Sequence, residues 1–437
     1  MKTIIKNLGD CKIDSPLINM FPSGKSFFVP DEQRIRYNCY MKNISDENKQ
    51  NIVSFEAAGP REKIFFDPSK VCPAIVTCGG LSPGLNNVIR SIVMESHYRY
   101  GVKSITGIRY GYSGLNPKNN LNLVQLTPQF VREIHVKGGT ILGSSRGGVE
   151  DMELLVKRLE ELGINLLYTI GGDGTMRGAH KIAEIIQKRG SKISIIGVPK
   201  TIDNDISYIQ RTFGFESAVS TAVDAIYSAH VEADGAQNGI GLVKLMGRNS
   251  GFIAANATLA MNDVNFLLVP EVRFDLYGQN GFLSHLEERL RNRGHAVICV
   301  AEGAGQELLE DSSSKMYDAS GNPVLEDIGN YLKTKINDYF KNKNIKINLK
   351  YIDPSYMIRS TPANSNDSIF CAMLGQFAVH AGMAGKTDMI IGIWNNIYTH
   401  VPIELVISER KQIDPNSRFW FNVMAATGQP INMLNPL

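Results

Sequence analysis

A chain of 437 residues, 43% hydrophobic and 20% charged, is ordinary for a soluble globular protein and long enough for two or three domains with sizeable cores. Its net charge of +3 argues against nucleic acid or an anionic membrane as the main partner, and no apolar run of about 18 residues exists to cross a bilayer. The six cysteines (Cys11, Cys39, Cys72, Cys78, Cys299, Cys371) hold no CxxC pair and the eight histidines no ligand pattern, which suggests reduced thiols in the cytoplasm or another reducing compartment rather than a zinc site or a disulfide framework.

The first 70 residues mix Pro, Asn, Ser and charge with little periodicity, and the opening MKTIIKNLGDCKIDSP lacks the apolar centre of a signal peptide. They read as an arm or small extension around the main body, with NISDENKQN (43–51) as an exposed loop. From residue 71 a rhythm sets in. PAIVTC (73–78) is a short apolar run ending at GGLSPGLN, after which Val88, Ile89, Ile92 and Val93 recur at helical spacing. NLLYTI (165–170) is followed by GGDGTMRG and then by Ala179, Ile182, Ala183 and Ile186 on one helix face. KISIIGVP (192–199) is followed by KTIDND. Further strand candidates are GIGLVKLM (239–246), VNFLLVPE (264–271), HAVICVAEG (295–303) and DMIIGIW (388–394). Continuous apolar strands alternating with amphipathic helices predict parallel sheets covered on both faces, in two doubly wound, Rossmann-like α/β domains. Hydrophilic stretches at 113–122, 307–326 and 340–349 are expected to be surface loops.

In doubly wound folds ligands bind beyond the carboxyl ends of the strands. Three strands here end in unusual loops. Glycines in GGLSPG allow backbone N–H groups close to phosphate oxygens, and the helix that follows adds its positive N-terminus. GGDGT sets a carboxylate among the glycines. Asp173 would repel a polyphosphate unless it holds a Mg²⁺ that bridges the phosphates, although Asp and Gly are also ordinary turn residues. This motif alone does not choose among kinases, since it is also similar to the signature of NAD kinases and diacylglycerol-type lipid kinases. PKTIDND places Lys200, Thr201, Asp203 and Asp205 within six residues. Phosphoryl transfer needs cations around the migrating group and a base for the acceptor hydroxyl. Lys200 supplies charge. Asp203 and Asp205 alternate to one side of an extended chain, one available as base and the other near the metal. Arg146, Arg248 and Arg359 stand beside glycines or strand ends, where the guanidinium fork suits phosphate.

GGLSPGLNNVIR, LGSSRGG, GGDGT, PKTIDND, MGR and AEGAG, in this order, resemble the 6-phosphofructokinase family. Together with FEAAGPREKIFFDPSKVCPAIVTCGG, SAHVEADGAQNGIGLVKLMGRNSGFIAA and KYIDPSYMIRS they are most similar to the long ATP-dependent enzymes of plant and trypanosomatid type. The resemblance runs from about residue 52 to near the C-terminus. It implies transfer of the γ-phosphoryl group of MgATP to the 1-hydroxyl of fructose 6-phosphate. By the family pattern Gly79, Gly80, Arg146, Gly147, Gly172, Asp173, Gly174 and Thr175 would contact the nucleotide, with Mg²⁺ on Asp173. Asp203 would be the base, assisted by Lys200 and Arg146. Thr201, Asp203, Met246, Gly247, Arg248 and Glu302 would hold the sugar, with Lys350, Tyr356 and Arg359 around its 6-phosphate. It further implies a nucleotide-binding domain at 71–214 plus 359–409, a sugar-phosphate domain at 215–358 plus 410–437, residues 1–70 as an N-terminal extension, and a homo-oligomer, dimer or tetramer.

Departures bear on what carries over. Short bacterial enzymes have glycine where this chain has Lys200. They use an arginine from a neighbouring subunit where this chain has Gly239, and histidine where it has Tyr356, so their effector site does not carry over. Pyrophosphate-dependent relatives resemble GGDD at the GGDGT loop and PKTIDND at the next. Gly174 in that place leaves room for the ATP α-phosphate, whereas Asp would repel it. A pyrophosphate-dependent enzyme and a catalytically degenerate regulatory subunit are the alternatives.

Overall fold

The computed structural model describes residues 3–20, 27–38, 53–147, 151–309, 317 and 324–436. The loop expected at 43–51, and most of the one expected at 307–326, lie outside them. The chain divides into two compact units. One comprises Met1–Thr201, Ile206–Gly214 and Thr361–Arg410, the other Ile202–Asp205, Phe215–Ser360 and Lys411–Leu437.

The first unit begins with strands β1 (Lys6–Asn7), β2 (Ile13–Asp14), β3 (Arg34–Arg36), β4 (Ser54–Ala57), β5 (Lys63–Ile64) and β6 (Pro73–Thr77). Helix α1 (Leu85–Tyr100), β7 (Ile105–Ile108), β8 (Val124–Leu126) and α2 (Met152–Glu161) come next, then β9 (Leu166–Gly171), α3 (Asp173–Arg189) and β10 (Ser194–Pro199). The second unit contributes α4 (Phe215–Asp234), β11 (Gly239–Leu245), α5 (Phe252–Met261), β12 (Phe266–Leu268), α6 (Phe282–Arg293), β13 (His295–Ala301), α7 (Ile328–Asn342), β14 (Asn348–Ile352) and α8 (Ser355–Ser360). The chain then returns to the first unit with α9 (Ser365–Met383), β15 (Lys386–Thr387), β16 (Met389–Trp394), β17 (Ile397–Pro402) and α10 (Ile403–Val406). It ends in the second with α11 (Arg418–Thr427).

The first unit's main sheet has the order β3-β4-β17-β16-β10-β9-β6-β7-β8. Its middle, β16-β10-β9-β6-β7, is parallel, and the pairings at either edge are antiparallel. Successive residues of β6 feed opposite cores. Ile75 packs with α1 and α9, while Ala74 and Val76 pack with α2 and α3, as the two-residue period of a strand dictates. The second unit's sheet, β12-β13-β11-β14, is wholly parallel, and Val243 and Leu242 divide between its two faces in the same way.

Several expectations change. The described part of residues 1–70 is more than an arm: β4 pairs with β17 and β3 with β4, extending the main sheet. The stretch 340–349 is not a loop throughout, because it ends α7 with the fully buried Phe340 and begins β14. The stretch 113–122 is made of short 3-10 turns and buries Leu115. The strand expected at 264–271 is confined to Phe266–Leu268.

A buried ion cluster fastens the N-terminal strands. Glu56 Oε1 lies 2.7 Å from Arg61 and 3.0 Å from Lys386, and His400 Nδ1 lies 2.9 Å away. Lys386 also pairs with Asp31 at 2.9 Å. Burial alone would raise the Glu56 carboxyl. The contact with His400 and the charge of Lys386 outweigh it and hold Glu56 at about 2, below its usual 4.5. Burial holds His400 low and therefore neutral at pH 7, so the balancing charges come from Arg61 and Lys386. The stabilisation is present above pH 4.5 and fades as the pH falls towards 2. Glu56→Ala leaves Arg61 and Lys386 to share the half-exposed Asp31, 2.6 Å from Arg61, and is expected to cost about 1–3 kcal/mol, read as a lower thermal midpoint at pH 7.

Candidate active site

In the first unit three strand-end loops meet. Beyond β6, the Gly79 N–H donates to the Ser145 carbonyl at 2.9 Å, and the Ser144 hydroxyl donates to the Gly79 carbonyl at 2.6 Å. This laces the first glycine loop to the loop that carries Arg146 and Gly147, where Arg146 is exposed. Beyond β10, the Lys200 N–H donates to the Gly171 carbonyl at 3.0 Å, and its buried side chain turns back so that the ammonium donates to the Gly80 carbonyl at 2.6 Å. The sequence signalled Lys200 as a cation; the fold shows it as the post that joins two glycine loops.

Helix α3 starts at Asp173, with Gly172 as its cap and no side chain capping its first turn. Its leading N–H groups are of the kind that bind anions. Gly171 is enforced by close approach, since a Cβ there would lie 2.0 Å from the Thr175 Oγ1. Thr175 is buried, and its carbonyl accepts from the Tyr112 hydroxyl at 2.9 Å. Gly174 differs: a Cβ there would meet nothing within 4 Å. Asp173 is 30% exposed, with Arg177 Nε 3.2 Å and an Arg410 nitrogen 3.8 Å from its Oδ2. The described residues hold no group of three or more His, Cys, Asp or Glu suited to a metal. A single accessible carboxylate suits Mg²⁺, which keeps several waters and takes phosphate oxygens rather than demanding a full protein cage.

In the second unit β11 and β13 run in register, Leu245 opposite Ala301, so the loops after them emerge together. The Glu302 N–H donates to the Leu245 carbonyl at 2.8 Å, and Glu302 Oε1 accepts the Arg248 N–H at 2.9 Å. Gly303 lets the loops touch, because a Cβ there would lie 1.8 Å from the Arg248 carbonyl oxygen. Gly247 lies in this turn, and Met246 is buried in the core beneath it. Asp203 faces the same group of charges. Burial, and then the negative charges of Asp205 and Glu302, push its carboxyl up from 3.8 to about 7, against the opposing pull of Arg248 and Arg359. Arg359 is carried by α8, whose Tyr356 is exposed.

One expected residue stands apart from the others of the second unit. Lys350 pairs opposite Gly241, four positions short of Leu245 and so roughly 13 Å down the strand, with Glu232 at 4.0 Å. Thr201 belongs to the first unit, where its carbonyl accepts the Thr212 hydroxyl at 2.7 Å. Two cations escaped the sequence reading. Arg410 reaches Asp173. Lys411, whose N–H donates to the Asp205 carbonyl at 3.0 Å, is pushed down to about 8 by burial, against the raising charge of Asp205. SERKQ looks like a solvated charged turn, and contacts with residues far along the chain fix it here, among them the bridge between Ile206 and Arg410 and the bond from the Ser250 hydroxyl to the Lys411 carbonyl.

Glycine loops, a helix N-terminus and a carboxylate at the ends of parallel strands are the arrangement by which doubly wound proteins bind phosphates. Comparison with known proteins narrows this. The family model described as Phosphofructokinase matches residues 73–382. The ATP-dependent 6-phosphofructokinase of Borreliella burgdorferi is 52% identical over 99% of this chain and 97% of its own. ATP-dependent 6-phosphofructokinase 5, chloroplastic, of Arabidopsis thaliana is 52% identical over 85% of this chain and 68% of its own. The crystal structure of the pyrophosphate-dependent phosphofructokinase of Marinobacter aquaeolei matches 82% of this chain and 91% of that one with a TM-score of 0.67; at 18% identity it speaks for the fold alone. The chain belongs to the phosphofructokinase family.

Proposed function

We propose that this chain is an ATP-dependent 6-phosphofructokinase, transferring the γ-phosphoryl group of MgATP to the 1-hydroxyl of fructose 6-phosphate to give fructose 1,6-bisphosphate and ADP. The observation that carries this is Asp203, a carboxylate raised to about 7 among Arg248, Arg359, Asp205 and Glu302. A base titrating near neutrality is matched to removing a hydroxyl proton as a phosphoryl group arrives. Lys200 and Asp203 are three positions apart, so one short stretch of sequence carries both the donor-side cation and the base.

On this reading Gly79, Gly80, Gly147, Gly172, Gly174 and Thr175 line the nucleotide's phosphates. Lys200 and Arg146 hold the migrating group. When bound, Mg²⁺ on Asp173 would neutralise phosphate charge. Asp203 takes the 1-hydroxyl proton. Thr201, Met246, Gly247, Arg248 and Glu302 hold the sugar, and Tyr356 and Arg359 the 6-phosphate. Lys350, set apart along its strand, fits a 6-phosphate held by a second copy better than one held by its own unit, in keeping with a homo-oligomer. The five described cysteines are free and no described helix is long and apolar enough to cross a membrane, which accords with the cytoplasm or another reducing compartment.

The test is a coupled assay with each donor. Turnover is expected with MgATP. Turnover with pyrophosphate but none with ATP would overturn the donor. Inactivity with both, in folded protein that still binds fructose 6-phosphate, would mark a regulatory subunit.

A further inference from the structure

Arg410 approaches the donor-side carboxylate from a part of the chain that carries none of the phosphate loops. It follows α10, and its backbone forms an antiparallel bridge with Ile206. The next N–H, that of Lys411, donates to the Asp205 carbonyl at 3.0 Å. The segment is therefore pinned on both sides of its peptide link. From that support the guanidinium stands 3.8 Å from Asp173 Oδ2, with the side chain 28% exposed. Arg177 reaches the same oxygen at 3.2 Å, but it is 55% exposed and one helical turn along, an i,i+4 pair of the ordinary surface kind.

The contact of Arg410 is longer than a hydrogen bond and so is one of charge. It brings a cation to the N-terminus of α3, where Gly174 leaves side-chain space open. A triphosphate carries more negative charge than one divalent ion cancels, and a guanidinium fork suits its oxygens. Resting on the function proposed above, we infer that Arg410 is a further nucleotide-binding residue: it pairs with Asp173, and when the donor binds it also takes a phosphate oxygen of the triphosphate.

The experiment is calorimetric binding of ATP to the purified full chain without sugar phosphate, once with Mg²⁺ and once with EDTA. Arg410→Ala is expected to weaken ATP about tenfold in both conditions, the scale of one charge-assisted contact. Arg410→Lys should recover part of that loss, and Arg177→Ala should change affinity less than about twofold. Melting curves without nucleotide confirm that the variants fold, and the conservative Arg410→Lys carries the test should the alanine variant fail to. A loss seen only with Mg²⁺ would reduce Arg410 to a residue that orients Asp173, and so overturn the inference. An equal loss in Arg177→Ala, or no loss at all, would do the same. If the unaltered chain binds ATP in neither condition, the proposed function fails first and the inference falls with it.

Discussion

Asp203→Asn is expected to lower kcat by about 10²–10⁴-fold, the range for a lost general base, while fructose 6-phosphate binds within a few fold of its normal affinity. Asparagine keeps the shape of the side chain, so packing is preserved and only the capacity to take a proton is removed. The pH profile provides a second reading. Because the Asp203 carboxyl stays protonated up to about 7, kcat/KM of the unaltered chain should rise as the pH climbs through 7, and that limb should vanish in the variant. Stability should run the other way. The unfolded chain loses this proton near 3.8 and the folded chain near 7, so between those values the folded state binds more protons, and the contribution of Asp203 to stability falls as pH rises. The asparagine variant should then melt at the same or a higher temperature than the parent at pH 8. A kcat within tenfold of the parent would remove Asp203 from the role of base.

What could be read in the sequence followed from what each element needs. Buried parallel strands must be apolar on both faces, so PAIVTC, NLLYTI and KISIIGVP stood out. Several strands at the sheet margins were silent. In β14 the exposed Asn348 and Lys350 interrupt the apolar pattern, and β3, β4 and β17 depend on partners far along the chain. Glu56 illustrates the difficulty: it looks like a surface acid until folding brings Lys386 and His400 to it. The glycine loops were legible because close backbone approach leaves little alternative to glycine, as at Gly171 and Gly303. Arg410 was not, because nothing local distinguishes it from the charged residues beside it. The height of Lys350 on its sheet was hidden for a related reason: register is a property of paired strands rather than of one strand's letters.

Gly174→Asp is expected to reduce kcat/KM for ATP by about 10²–10³-fold while leaving fructose 6-phosphate affinity and the melting temperature nearly unchanged. A Cβ at Gly174 meets no protein atom within 4 Å, so the substitution creates no clash in the protein itself. The position is in the first turn of α3, where an acidic side chain interacts favourably with the helix dipole by about 0.3–1 kcal/mol. The fold therefore has no reason to weaken, and any large kinetic effect has to arise from what binds there. A carboxylate about 4 Å from a phosphate charge costs about 4 kcal/mol at the effective dielectric of a partly exposed site, which sets the upper end of the expected loss. Gly174→Asn supplies the control, since it has nearly the same volume without the charge: a much smaller loss would assign the effect to repulsion, and an equal one to the space the side chain takes. Steady-state kinetics with ATP and with pyrophosphate, beside calorimetry with fructose 6-phosphate, checks the prediction. Equal losses towards donor and sugar would mean that Gly174 does not face the donor, and the choice of ATP would then have to rest on the relatives alone.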